Sequence, residues 1–250
     1  MLTLIGTGHV FNIGDSVAQI ARCCWPDAVC VELDEMRYHA LTADREALEE
    51  DLRKRGIDPE TVKSQQSRNE SSIYKRNKRY QEDIAKQNGA QPGADMMAAI
   101  GVAKSLGSPV FCVDNDARET FDRMWAEMGT GEKLRYRFSG ITDRIGGKKK
   151  VDRTQADYYD DEAKYLEEFR KKYPVMTRVL IDERNEAMAK RIAEVAYSHE
   201  RTVAVVGDGH MNGLIGLLPS DIEKRTVRLR DLTDPERLKA LKQQYWETNE

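Results

Sequence analysis

The sequence predicts an α/β protein with a central, largely parallel sheet flanked by helices, and three observations predict it. Five short runs rich in Val, Ile, Leu and Cys are bounded by Gly, Pro or Asp: "MLTLIG", "DAVCVELD", "SPVFCVDND", "RTVAVVGDG" and "RTVRLRDL". Each is continuous rather than alternating, as parallel strands covered on both faces should be. Between them stand segments whose apolar residues recur every three or four positions, which is the helical period. Strand and helix in alternation imply right-handed crossovers within one sheet, and 250 residues suffice to bury its core.

Taken in order, "MLTLIG" is a strand and "GDSVAQIARCCW" an amphipathic helix leading to the strand "DAVCVELD". From about Asp44 to Gly93 the chain is strongly polar, which predicts a helical insertion or arm within a single domain spanning residues 1–250. "GADMMAAIGVAKSLG" is a helix with a Gly stop, followed by the strand in "SPVFCVDND" and the helix "DARETFDRMWAEMG". "GGKKKVDRTQADYYDDEAKYLEEF" opens with a Gly-Lys loop and continues into a charged helix, which Pro174 interrupts. The helix resumes as "VMTRVLIDERNEAMAKRIAEVAYSH", where Val179, Glu183, Met188 and Ile192 fall on one face and Glu183 and Arg184 reach the sheet edge. The last two strands lie in "RTVAVVGDG" and "RTVRLRDL".

Composition narrows the function. Charged residues make up 33% of the chain but the net charge is only -3, so nothing points to a nucleic-acid partner or a membrane surface. No run approaches the roughly 18 apolar residues of a membrane helix, and Met1 to Ile5 lack a basic leader region, so no stable membrane insertion and a cytoplasmic location are expected. Cys23, Cys24, Cys30 and Cys112 lie in apolar runs with neither zinc-site nor disulfide spacing, and read as reduced core residues.

Two of the four histidines share one setting: "GTGH" and "GDGH", each after an apolar strand. His9 and His210 would therefore lie just past the carboxyl ends of two strands, where open α/β sheets place their binding crevice, and can converge on one centre. Gly6, Gly8, Gly207 and Gly209 would permit sharp turns and close approach of backbone to a ligand. The competing reading makes each His a turn residue satisfied by backbone. Glu32 ends the second strand on the same edge. It is either a cap for the next helix or, beside two histidines, a ligand to a divalent ion or a general base. Asp114 is its counterpart after "VFCV". Arg118 and Arg123, on the helix that follows, either bind a substrate carboxylate or pair with neighbouring acids. "GTGHVF" with Glu32 also imitates a dinucleotide fingerprint, but Phe11 stands where the third glycine belongs, and Gly213 comes one residue late in the second copy.

"LIGTGHVF", "PDAVCVELDEMR", "GAQPGADMMAAIGVAKSLGSPVFCVDNDARETFDRMW", "LIDERNEAMAKRIA" and "VAVVGDGHMNGL", in that order, resemble the TraB family, which includes the pheromone-shutdown proteins and is related to the Tiki proteases. The resemblance runs from Leu4 to about Leu218. It implies two related halves with paired Gly-x-x-His motifs at the active centre: Gly6 with His9, and Gly207 with His210. It further implies Glu32 followed by Arg37, and the helix motif Glu183-Arg184-Asn185. For the Tiki branch it implies a metal-dependent peptidase, with manganese or cobalt favoured and zinc allowed. This chain departs from the pattern at Asp95-Met96 (usually Glu-Met), at Asp114-Asn115-Asp116 (usually Asp-Arg-Asp) and at Asn185 (usually Asp). The hydroxyl residue expected soon after the first His is displaced to Ser16.

The resulting expectation is a metal-dependent hydrolase acting on peptides. His9 and His210 hold a divalent ion with Glu32 or Glu183, the other glutamate shuttles the proton, and Arg184 or Arg118 orients the substrate or the oxyanion. Arg37, Asp114, Arg123, Asn185 and the four motif glycines would line the substrate crevice. The alternatives are a non-catalytic peptide- or pheromone-sequestering protein and a metal-free, esterase-like hydrolase. A homodimer is compatible with each.

Overall fold

The computed structural model describes residues 1–8, 11–137 and 162–247. His9 and the Gly146–Lys150 loop of the sequence analysis, with the residues after it to Asp161, lie outside them. The five predicted strands form one sheet: β1 (Leu2–Thr7), β2 (Ala28–Val31), β3 (Val110–Cys112), β4 (Thr202–Gly207) and β5 (Lys224–Val227). Their order is β3-β2-β4-β1-β5 and every pairing is parallel. Burial on both faces holds for β1, β2 and β4, whereas β3 and most of β5 are partly exposed because edge strands are covered less completely.

Between β1 and β2 lies α1 (Gly14–Cys23). After β2 come α2 (Glu35–Thr42), α3 (Arg45–Lys54), α4 (Pro59–Asn69), α5 (Ser72–Gln87) and α6 (Ala94–Leu106). β3 is followed by α7 (Ala117–Glu127), α8 (Glu162–Lys172), α9 (Pro174–Thr177) and α10 (Glu183–Ser198), and the carboxyl-terminal part carries α11 (Met211–Leu217), α12 (Leu229–Thr233) and α13 (Pro235–Glu247). Residues 130–137 are also helical. The polar stretch expected to be a helical insertion is thus α3 to α5. Asp44 and Ser71 cap α3 and α5 by accepting from Ala47 N at 3.0 Å and Tyr74 N at 3.3 Å. Pairs four residues apart, Glu49–Arg53, Glu50–Lys54 and Asp51–Arg55, lie along α3.

Alternation along each strand separates two faces. Leu2, Leu4, Ala28, Cys30, Ala204 and Val206 join Met188, Ile192, Met211 and Leu214 of α10 and α11 in one buried cluster. The intervening residues, such as Ile5, Val29 and Val205, face the other way, where α6 packs against β2 and β4 and against α1. The four cysteines are thiols outside any disulfide, and burial pushes their pKa values up, Cys24 to about 11 and Cys30 to about 12. No described helix is long and apolar enough to cross a membrane.

The chain divides into two compact units, residues 1–118 with 185–250, and residues 119–184. Within the second, Pro174 stands at the first position of α9 and ends the preceding helix at Lys172, as its missing N–H requires. A π-helical turn, Arg178–Asp182, then precedes α10. This turn was not predicted, and it changes the helix phase. The buried polar position after it is Asn185, in step with Met188 and Ile192, rather than Glu183.

Candidate functional site

The carboxyl edge of β2, β4 and β1 builds the site. β1 and β4 run in register, Thr7 opposite Gly207, and β2 and β4 pair Val31 with Val205. Three neighbouring strands therefore end together, and the residues following them emerge side by side. Glu32 comes immediately after β2. Its backbone N–H donates to Val205 O at 3.0 Å, and its Oε2 accepts from the backbone N–H of Gly207. Anchored across the strand pair and only 4% exposed, the Glu32 carboxylate turns its other oxygen, Oε1, toward Nε2 of His210 at 3.6 Å.

His210 ends a single 3-10 turn, Asp208–His210, directly after β4. Its Nδ1 is 2.7 Å from Oδ1 of Asn185, the buried polar residue of α10. The amide of Asn185 packs close against α11, because Gly213 leaves the room: a Cβ at position 213 would stand 2.1 Å from Asn185 Nδ2. The glycine that comes one residue late for a dinucleotide fingerprint thus serves another purpose, close helix-to-helix approach at the histidine.

A second buried device holds the turn. Asp208 accepts from Arg228 Nε at 2.9 Å and Nη2 at 2.8 Å, and from Leu229 N at 2.9 Å. Gly6 makes room for it, since a Cβ there would meet Asp208 Oδ1 at 2.4 Å. None of Gly6, Gly8, Gly207 and Gly209 has the left-handed conformation expected of a sharp turn. Gly6 acts through close approach, Gly8 lies against Phe11 and Leu229, and a Cβ at Gly209 would meet nothing within 4 Å. Beside them Thr7 Oγ1 donates to Oδ2 of Asp95 at 2.7 Å, so the shortened acid of the Asp95-Met96 departure is a buried link between β1 and the first turn of α6.

Asp208, Arg228 and Asp95 carried no weight as candidates in the sequence reading. The signal for Asp208 was its place inside "GDGH" itself; Arg228 offered none beyond closing a strand.

The remaining candidates are also placed. Arg37 lies 3.6 Å from Asp114, and Arg118 lies 3.7 Å from Glu70; the Asp114 side chain is buried and both guanidinium groups are about one-third exposed. Asp34 caps α2 through Arg37 N at 2.8 Å and also accepts from Ala117 N at 3.2 Å, tying the end of β2 to the start of α7. In the 119–184 unit, Glu183 is paired with Arg123 at 2.5 Å and with Arg178. Burial works against its ionisation, but the hydrogen bonds from Arg123 and Arg178 outweigh burial and hold the carboxyl below its ordinary range. Arg184 donates to Leu180 O at 3.1 Å.

A divalent ion suits the facing pair. Two ligands at about 2.1 Å on one tetrahedral ion stand roughly 3.4 Å apart, close to what an imidazole nitrogen and a carboxylate oxygen present here. The carbonyl oxygen of Asn185 on the far ring nitrogen is the outer partner that metal-binding histidines use. Among the described residues no three His, Cys, Asp or Glu side chains gather around one point, and His9 lies outside them.

A parallel α/β sheet that gathers a buried carboxylate and an imidazole at the ends of adjacent central strands defines the class: a protein with a buried polar pair at the carboxyl edge of its sheet. The chain belongs to the TraB/PrgY/gumN family, whose model matches residues 1–224. It is 28% identical over 241 residues to an uncharacterized protein of Methanocaldococcus jannaschii, covering 96% of this chain and 59% of that relative. The chain therefore spans a little under three-fifths of that relative's length.

Proposed function

We propose that the protein is a metal-dependent hydrolase acting on peptide substrates. The observation that carries this reading is Glu32 Oε1 facing His210 Nε2 at 3.6 Å, with the far ring nitrogen bound to Asn185. His210 and Glu32 would hold the ion, and His9 is the further ligand that the repeated Gly-x-Gly-His pattern offers. When bound, a divalent ion supplies a water of lowered pKa and polarises a carbonyl. The protein's part is positional: the Gly207 N–H fixes one oxygen of Glu32, and Asn185 fixes the plane of the His210 ring. Of the two glutamates considered, Glu32 suits this role better. Glu183, doubly paired with arginine and held ionised, is a poor proton acceptor. Arg37 and Arg118, partly exposed and in long ion pairs, are the candidates to meet a substrate carboxylate.

The same pair supports a second reading, a metal-free hydrolase in which His210 is the base on water and Glu32 orients it. One experiment separates the two. Metal content is measured in the untagged protein and in His9→Ala and His210→Ala after exchange into manganese, cobalt or zinc, and peptide turnover is followed with and without a chelator. Near-stoichiometric metal in the parent, lost in both variants, is the expected result. Negligible metal in all three proteins, with turnover that survives chelation, would overturn the metal reading in favour of the second.

A further inference from the structure

The imidazole of His210 has two ring nitrogens, and only one can face Glu32 as a bare lone pair. We infer that Asn185 is the positioning residue that selects this tautomer: it keeps the ring proton on Nδ1, so that Nε2 is the unprotonated nitrogen presented at the carboxyl edge of the sheet. The inference deepens the proposed function and rests on His210 acting through Nε2, but its primary readout is independent of metal and of turnover.

Three observations carry it. The Nδ1 to Oδ1 separation of 2.7 Å is a short hydrogen bond, and a carbonyl oxygen can only accept, so the proton sits on the ring. On the other side, Nε2 stands 3.6 Å from Glu32 Oε1, beyond hydrogen-bond distance, so the short contact to Asn185 has the stronger hold on the ring proton. Finally, the amide cannot leave its place freely. It is seated over Gly213, where even a methyl group would stand 2.1 Å from its nitrogen, and it belongs to the buried face of α10 together with Met188 and Ile192. The Asn185 amide supplies an acceptor oxygen without a charge, so the ring is oriented by a neutral partner. A neutral imidazole left to solvent favours the proton on Nε2, the opposite tautomer, which would block the nitrogen facing Glu32.

The test is heteronuclear NMR of the His210 ring nitrogens in the metal-free 250-residue protein at a pH where the ring is neutral. The comparison covers the parent, Asn185→Leu, Asn185→Asp and Gly213→Ala. The parent is expected to show a protonated Nδ1 and a bare Nε2. Asn185→Leu, close in volume and unable to accept, should move the proton to Nε2 or give a mixture, and Asn185→Asp should restore the parent pattern. Gly213→Ala, which displaces the amide without removing it, should resemble Asn185→Leu. Manganese or zinc binding, measured in parallel, should weaken about 10- to 100-fold in Asn185→Leu. A parent with the proton on Nε2, or an Asn185→Leu protein with the parent's pattern, would overturn the assignment. Should the tautomers behave as stated while the parent takes up no metal, the metal reading fails and the role of Asn185 stands.

Discussion

Glu32 and Glu183 are both glutamates beside basic or imidazole groups, yet they occupy opposite kinds of environment. Glu32, at the sheet edge, is 4% exposed; a backbone N–H anchors it and it faces the His210 ring. Glu183, in the 119–184 unit, has a side chain 27% exposed and is clamped between Arg123 and Arg178. Paired arginines hold a carboxylate ionised, whereas a backbone N–H orients one without adding a countercharge. Residue type alone does not distinguish the two carboxylates. The partners do.

The contrast can be broken most sharply by exchanging each acid for its amide. Glu32→Gln retains an acceptor for the Gly207 N–H, so the fold should survive, while metal uptake in elemental analysis should fall to background. Glu183→Gln should leave metal uptake unchanged. Equal losses in the two variants would erase the distinction.

Next in size is the buried pair that holds the histidine turn. Asp208→Ala leaves the Arg228 guanidinium and the Leu229 N–H without their acceptor, and should cost about 3–5 kcal/mol in chemical denaturation. Gly6→Ala drives a methyl group into the same carboxylate and should cost roughly 1–3 kcal/mol, while Gly209→Ala, with open space around it, should stay within about 0.5 kcal/mol. Comparable losses at the two glycines would mean that turn formation, not room, explains them.

The smallest effect concerns acid. Glu183 has a lowered folded-state pKa, so its contribution to stability is present above the ordinary carboxylate pKa and is lost as pH falls through the folded value. Solvent screening keeps that contribution under about 1 kcal/mol. Difference melts of Glu183→Gln against the parent should therefore converge at low pH; a gap that widens as the pH drops would reverse the sign.

Much of this arrangement is legible in the residues themselves. Continuous apolar runs and helical spacing located all five strands and the helices α1, α6, α7 and α10, because such patterns depend only on the local period and on which faces are covered. The Gly-x-Gly-His pattern likewise put His210 at a strand end, and the apolar run "AVCV" put Glu32 at another. What tertiary structure alone decided is which groups meet. Glu32 finds its donor 175 residues away because β2 and β4 are neighbours in register. Asn185, rather than Glu183, reaches the imidazole because it is the polar residue of α10 in step with Met188 and Ile192 on the buried face. Asp208 finds Arg228 because β1 lies between β4 and β5 and its Gly6 lacks a side chain. Strand order, register and helix phase are properties of the packed chain, and a hydrogen bond spanning a few ångströms depends on all three.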